Sequence, residues 1–310
     1  MSQPDVLRIA TRASELALWQ SRHVAAALEA AWPGLRTELV PMTTTGDRIL
    51  DRPLAAIGGK GLFIKELEVA MLEGRADLAV HSMKDVPFEL PDELGLAAIL
   101  EREDPRDVLV SPGGVALADL PRGARVGTSS LRRRSQLAAL RPDLQLLDLR
   151  GNVPTRLGRL AQGDYDAIVL AAAGLKRLGL LTAAGRALAT GEMLPAVGQG
   201  AIGIECRRGD AVIERLIAPL HHGRTARCVE AERAMNARLG GSCTVPVAGH
   251  AVIDGDTLSL QGLVAAVDGA QLVRQTAHGP TDAAARIGDG LGSALLAAGA
   301  DRILGRLHDT

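Results

Sequence analysis

Ala76-Asp77-Leu78-Ala79-Val80-His81 is an apolar run of strand length, and Ser82-Met83-Lys84-Asp85-Val86-Pro87 follows it directly. Short apolar runs bounded by turn residues read as buried strands. The residues before it set the architecture. Residues 6–10 read as another buried strand. A helical pattern after Thr11-Arg12-Ala13-Ser14 places Ala17, Val24, Leu28 and Ala31 on one side and stops at Pro33-Gly34. Residues 35–42 alternate like a strand, and a helix from Leu62 buries Phe63, Leu67, Ala70 and Met71, with Gly74 as its stop. This β-α-β-α-β order predicts a parallel, doubly wound sheet. Ligands of such sheets bind outside the carboxyl ends of the strands. Ser82, Lys84 and Asp85 fall at such an end and are candidate functional residues. Residues 46–61, with Gly58-Gly59-Lys60-Gly61, show no period and are long for a connection, as lids and disordered segments are.

A second α/β unit begins near Asp104-Pro105-Arg106-Asp107. Arg125-Val126-Gly127 ends a strand, and Thr128-Ser129-Ser130 opens a helix running to Arg141. Small hydroxyl residues at a helix start leave backbone N–H groups facing outward, an arrangement suited to anions. Residues 144–149 give the next strand, Pro154 fits the first turn of a further helix, and residues 166–171 form another buried strand. From Arg122 to Arg159 there are nine arginines, no lysine and only Asp143 and Asp148 as acids, in a chain whose net charge is −1. Arginine without lysine points to bidentate recognition of carboxylates or phosphates. A solvated helix face accounts for Arg134, Arg141 and Arg159, but less well for arginines at strand ends.

Gly198-Gln199-Gly200 precedes a strand, residues 201–205, that can return to the first sheet. His221-His222 has no metal spacing and reads as a linker. A helical pattern over residues 225–239 then aligns Cys228, Ala231, Met235 and Leu239, and Gly240-Gly241 stops it. Ser242-Cys243-Thr244-Val245-Pro246 follows, so Cys243 lies beside the negative end of a helix dipole, which disfavours a thiolate. Such a thiol suits permanent attachment better than turnover. Asp254-Gly255 and Asp268-Gly269 separate three strand-like runs as hairpin turns, and a last helix carries Ile287, Leu291 and Leu295. This describes a small antiparallel α+β domain.

Across 310 residues, 35 Lys+Arg balance 36 Asp+Glu, and the aromatics are only Trp19, Trp32, Phe63, Phe88 and Tyr165. So few aromatics remove the usual base-stacking platforms, which ranks nucleic acid lowest. No G-x-G-x-x-G follows a strand, so a dinucleotide fold lacks support. Three cysteines without paired or metal spacing indicate a reducing compartment and no metal. With no basic-then-apolar leader and no charge-free membrane-length run, a soluble cytoplasmic protein is expected. The residues alone leave two readings: an enzyme acting on a small, multiply carboxylated or phosphorylated substrate, or a cytoplasmic two-lobed polyanion-binding protein without catalysis.

Several runs together resemble the porphobilinogen deaminase (hydroxymethylbilane synthase) family. They are Arg8-Ile9-Ala10-Thr11-Arg12, Gly58-Gly59-Lys60-Gly61-Leu62-Phe63, His81 to Pro87, Val126 to Arg133, Leu149 to Asn152, Leu194-Pro195-Ala196-Val197-Gly198-Gln199-Gly200, and Glu232-Arg233 through Pro246. They span nearly the whole chain in the family's order. Ser242 departs from a frequent second glycine, and Arg134-Ser135 replaces a variable pair. The resemblance implies two doubly wound, periplasmic-binding-protein-like lobes and a small C-terminal α+β domain. Residues 1–100 with 200–220 would form the first lobe, 101–199 the second, and 221–310 the domain carrying the cysteine loop.

It further implies a dipyrromethane cofactor bound by thioether to Cys243. On this primer four porphobilinogens would be joined head to tail with loss of ammonia, and hydrolysis would free hydroxymethylbilane. Asp85 would be the catalytic carboxylate. Lys84, Asp85, Thr128, Ser129, Ser130, Arg132, Arg133 and Arg150 would bind the cofactor. Arg12, Ser14, Lys60, Arg150, Arg156, Arg177 and Gln199 would bind substrate. A monomer is expected, with no nucleic-acid or membrane partner.

Overall fold

The structure is a computed structural model that describes residues 5–48, 61–241 and 245–306. In chain order, β1 (Leu7–Arg12), α1 (Glu15–Ala31), β2 (Thr37–Met42), α2 (Lys65–Leu72), β3 (Leu78–Ser82) and β4 (Leu94–Ile99) come first. Next are β5 (Asp107–Val110), β6 (Arg125–Gly127), α3 (Leu131–Leu140), β7 (Gln145–Leu147), α4 (Val153–Ala161), β8 (Ala167–Ala171), α5 (Ala172–Arg177) and β9 (Gly185–Ala187). The chain continues with β10 (Ile202–Arg207), α6 (Ala211–Ile217), α7 (Gly223–Arg238), β11 (Val247–Asp254), β12 (Thr257–Ala265), β13 (Leu272–Pro280) and α8 (Ala284–Leu295). The described residues fall into two compact units, one within Met1–Asp51, Gly59–Glu103 and Ala201–Ala226, the other within Asp104–Gly200 and Arg227–Thr310.

In the first unit the sheet runs β2-β1-β3-β10-β4. β1 pairs in parallel with β2 and β3, as the alternating helices require, but β10 is antiparallel to both β3 and β4. The parallel pairing expected of the β-α-β-α-β order holds over β1, β2 and β3, and the later strand β10 joins that sheet antiparallel. Parallel neighbours need a crossover connection, and β10 arrives from residue 200 with no helix returning it to β3. Ser14 starts α1 by accepting a hydrogen bond from Ala17 N, and Gly34 at φ +90° lets the chain reverse after it. One sheet face buries Leu7, Ile9, Leu78, Val80 and Ile204 under Val24 and Leu28 of α1. The alternate residues Ala10 and Ala79 face Leu67, Ala70 and Met71 of α2. Each large apolar side chain so buried stabilises the unit by roughly 1.5–3 kcal/mol.

Two smaller expectations also change. Ala31, in the last turn of α1, is exposed rather than on the buried side. Phe63 is not a core residue of a helix beginning at Leu62. Gly61 adopts φ +78°, the helix starts at Lys65, and Ile64 takes the buried place while Phe63 remains half-buried.

The second unit repeats the order without repeating the sequence. Its sheet is β7-β6-β8-β5-β9, with β6 parallel to β7 and β8, and β5 antiparallel to β8 and β9. Leu109, Val126, Leu137 and Val169 fill one side, and Val108, Leu149, Ile168, Leu170 and Leu175 the other. The same unit holds the three-stranded antiparallel sheet β11-β12-β13. Cys228, Ala231 and Met235 of α7, with Leu239 just after it, pack with Leu258, Leu260, Leu291 and Leu295 of β12 and α8. α8 approaches α7 so closely that a Cβ on Gly288 would meet Ala231 O at 2.1 Å.

Candidate active site

In the first unit the chemistry collects where β1 and β3 end. Arg12 is the last residue of β1, and Ser14 caps α1 just beyond it. β3 finishes at Ser82 and passes into a single turn, Met83–Asp85. Arg12, Ser14, Gln20, Phe63, His81 and Asp85 line one pocket there. Arg12 Nη1 lies 4.0 Å from Asp85 Oδ2, and the Asp85 side chain is about one-third exposed at 32%. The guanidinium of Arg12 stacks 4.4 Å above the Phe63 ring and is hydrogen-bonded to Asp47 through Nε and Nη2. Burial works against the charge on Asp47, but these hydrogen bonds and Thr44 outweigh it and hold its carboxyl below the usual range. Arg12 is therefore fixed in orientation. Lys84 is half-buried in the turn.

The second unit offers a parallel arrangement after β6. Ser130 caps α3 by accepting from Arg133 N, Thr128 Oγ1 accepts from Ser130 N, and Ser129 Oγ accepts from Leu149 N at 3.0 Å. Arg150 follows Leu149. Burial pulls its guanidinium below its usual value, and Asp148 partly restores it. Arg156 Nε donates to Gly151 O, and Arg177 Nη2 donates to Gly200 O at 2.8 Å.

Arg132 and Arg133 are placed differently from what a surface palisade would require. Both are only 5% exposed and face Asp107, which is fully buried at the start of β5. Arg133 donates to Asp107 Oδ1 through Nε and Nη2, and Arg132 Nη1 lies 2.8 Å from Oδ2. Arg132 also donates to Leu194 O, and Arg133 to Val169 O. Gln199, at 1% exposure, donates to Pro105 O and Asp107 Oδ1. Burial opposes the Asp107 charge, yet the two guanidiniums hold its carboxyl far below the ordinary range. Two cations share one anion, so the buried cluster carries one positive charge in excess.

Of the other arginines in the rich stretch, Arg125, Arg134, Arg141 and Arg159 pair with Asp166, Asp148, Asp143 and Asp164. The solvated-face reading describes Arg134 and Arg159, but not Arg141, whose mostly buried side chain follows α3 and donates to Leu117 O, Ala118 O and Leu120 O. Cys243, Lys60 and most of the lid-like 46–61 stretch lie outside the described residues.

Three supporting acids escaped the sequence reading. Asp107 is one. Glu232, fully buried on α7, accepts from Gly198 N and Ala251 N, both at 2.7 Å, and so ties the 194–200 loop to β11. Glu205 on β10 holds His81 through Nε2 at 2.9 Å. The available signal was an acid inside an apolar strand, Asp107-Val108-Leu109-Val110 and Ile204-Glu205-Cys206. His222, read as a linker residue, accepts from Thr225 N at the start of α7.

Removing Asp107 is expected to be costly. With Asp107→Ala, two guanidiniums would face each other in the interior, and uncompensated buried charge costs about 3–5 kcal/mol. Urea unfolding checks this, and a change under about 1 kcal/mol would refute it. The pH dependence has a definite sign. A folded carboxyl held below its unfolded pKa of about 3.9 contributes stability that is complete above that pH. Wild type should lose this contribution as pH falls below about 4, and Asp107→Ala should lack that share of the acid loss.

Two open sheets of matching strand order, each with hydroxyl and arginine groups at strand ends, and a three-stranded antiparallel sheet define a mixed α/β protein. Residues 7–215 match porphobilinogen deaminase, dipyromethane cofactor binding domain, and residues 226–297 match porphobilinogen deaminase, C-terminal domain. The chain belongs to the porphobilinogen deaminase family, a transferase family of tetrapyrrole biosynthesis, and carries its dipyrromethane-binding domain. Among solved structures it is similar to the periplasmic aliphatic sulphonate binding protein SsuA from Escherichia coli. The identity is 18% over 76% of this chain and 70% of that one, with a TM-score of 0.42. It is also similar to the BvgS VFT2 domain from Bordetella pertussis, at 19% identity over 68% of this chain and 84% of that one, TM-score 0.41. No helix among the described residues is long and apolar enough to cross a membrane.

Proposed function

We propose that this chain joins four porphobilinogens head to tail on a dipyrromethane primer held by thioether at Cys243, then releases hydroxymethylbilane by hydrolysis. It acts as a cytoplasmic monomer with no nucleic-acid or membrane partner. Its division would be residues 1–100 with 200–220, 101–199 and 221–310. The observation that carries the reading is a carboxylate, Asp85, at the carboxyl end of β3, in one pocket with Arg12 and Ser14.

When bound, the dipyrromethane supplies a free pyrrole α-carbon as the site of extension. The protein's own groups do the rest. Each porphobilinogen brings an acetate and a propionate, and charge-assisted hydrogen bonds to such groups contribute roughly 1.5–3 kcal/mol each. Arg12, Ser14 and Lys60 suit them in the first unit, and Arg150, Arg156, Arg177 and Gln199 in the second. Lys84, Thr128, Ser129, Ser130, Arg132, Arg133 and Arg150 would hold the primer's carboxylates. The positive excess of the Asp107 cluster fits that anionic group, although Arg132, Arg133 and Gln199 would reach it only from the interior.

Asp85 accepts a hydrogen bond from the pyrrole N–H of the incoming unit. As the C–N bond of the aminomethyl arm breaks and its protonated amine leaves as ammonia, the retained methylene becomes part of a cationic methylene-pyrrolenine, and the carboxylate stabilises it. Arg12, fixed by Asp47 and Phe63, keeps its guanidinium beside Asp85 without being free to swing away.

Intact mass of the purified chain tests this. The expected excess equals two porphobilinogens less two ammonias, and brief exposure to porphobilinogen should add further units, each less one ammonia. A bare chain that gains nothing from porphobilinogen would replace this reading with a polyanion binder lacking catalysis.

A further inference from the structure

Asp85 sits on a turn of one residue triplet, and such a short segment holds its geometry only if something beneath it is rigid. What lies beneath is unusual for a sheet interior. His81 and Glu205, on adjacent antiparallel strands β3 and β10, are 4% and 0% exposed, and His81 Nε2 is 2.9 Å from Glu205 Oε2. In the register His81 pairs with Gly203 and Ala79 with Glu205. Glu205 is thus the diagonal neighbour of His81 on one sheet face, within reach of a long side chain. A shift of register between Ile204 and Glu205 against β4 marks a bulge there. Bulges re-aim side chains and are common beside active sites. The second carboxylate oxygen, Oε1, is buried without a hydrogen-bond partner. A buried acid so incompletely satisfied costs stability.

The same strand shapes the turn a second way. A Cβ on Gly203 would meet Met83 Sδ at 2.3 Å, so the missing side chain is the slot into which Met83 packs at 1% exposure. Met83 N also donates to Ala201 O at 3.0 Å, and Gln20 Nε2 donates to Ser82 Oγ at 2.9 Å. Glu68 on α2 faces the pair. Burial pushes its carboxyl up, Glu205 adds to that, and His81 and Lys65 oppose it.

We propose that Glu205 and Gly203 of β10 are positioning residues for the reaction, fixing His81 and Met83 so that Asp85 is held in its productive place. This rests on the reading of Asp85 given above. The residues touch no substrate; they act through the turn. A displacement near 1 Å at a reacting group can cost about a hundredfold, so the rate should respond while binding barely does.

The test compares holoenzyme of wild type, Glu205→Ala, Glu205→Gln and Gly203→Ala. Primer loading is read by intact mass, and kcat and KM for porphobilinogen are expressed per loaded chain. Thermal unfolding and the downfield imidazole N–H proton resonance are recorded alongside. Glu205→Ala should lower kcat roughly ten- to a hundredfold, keep KM within about twofold and lose the downfield resonance. Glu205→Gln retains an acceptor for Nε2–H and should recover most of the rate. Should Glu205→Ala fail to fold, Gly203→Ala reads the same turn through Met83 and should lower kcat about tenfold. Wild-type kcat in loaded Glu205→Ala or Gly203→Ala, or a rate no better in Glu205→Gln than in Glu205→Ala, overturns the proposal. A wild-type chain with no added mass that consumes no porphobilinogen overturns the parent reading, and this one with it.

Discussion

Asp85→Asn should lower turnover at least roughly a hundredfold, about 2.7 kcal/mol of transition-state stabilisation, while leaving the chain folded and primed. The substitution preserves shape and removes charge. An asparagine can still offer an oxygen to a pyrrole N–H, so ground-state binding should change little. What it cannot do is stabilise the positive charge that develops as ammonia leaves. Its amide N–H groups would meet the pyrrole N–H donor to donor in the wrong rotamer. The fold should tolerate the change because Asp85 is about one-third exposed and its nearest guanidinium atom is 4.0 Å away. Pairs of that kind contribute roughly 0–1 kcal/mol. Steady-state kinetics per primer-loaded chain give the answer, with thermal unfolding as control. Near-normal turnover would remove Asp85 from the chemistry, and loss of KM alone would make it a binding residue.

The parts of this molecule legible in the sequence are those governed by local chemistry. Alternating apolar runs and stop signals placed the strands, since Ser14, Gly34, Ser130 and Pro154 act on their immediate neighbours. Strand ends located Arg12 and Asp85 because the βαβ connection forces ligand sites to one edge. The direction of β10 was not legible, as it depends on a chain path through about a hundred intervening residues. Neither was the shared order of the two α/β sheets, because equivalent positions in them carry different side chains.

Arginines were the hardest case. From the sequence, Arg132, Arg133 and Arg150 look alike, all near strand or helix ends. Structure separates them through a partner 26 residues away: Asp107 draws Arg133, and Arg132 with it, into the interior. Asp107, Glu205 and Glu232 were overlooked for the same reason. An acid in an apolar strand, as Asp107 and Glu205 are, or among other charges on a helix, as Glu232 is, gives no sign of which donor will meet it, and each of these donors comes from a distant element.

Cys243→Ser should abolish both the primer mass and product formation, the largest effect any single substitution is expected to have. The chain has only two other thiols, and neither is a credible substitute. Cys206 and Cys228 are buried at 2% and 8% exposure, and burial, with Glu214 and Asp210 nearby, pushes the Cys206 thiol up to about 11. Cys243 instead follows the end of α7, where Gly240 at φ +62° and the Gly241 N–H to Asn236 O bond close the helix. A serine hydroxyl there is a far weaker nucleophile than the thiol. Cys206→Ala and Cys228→Ala should therefore keep the added mass, and Cys243→Ser should lose it without a change in unfolding midpoint beyond about a degree or two. Primer mass persisting in Cys243→Ser, or vanishing in folded Cys206→Ala, would move the attachment point elsewhere. Primer loss with turnover intact would instead separate the anchored group from the reaction, since a chain that extends porphobilinogen without it needs another acceptor carbon.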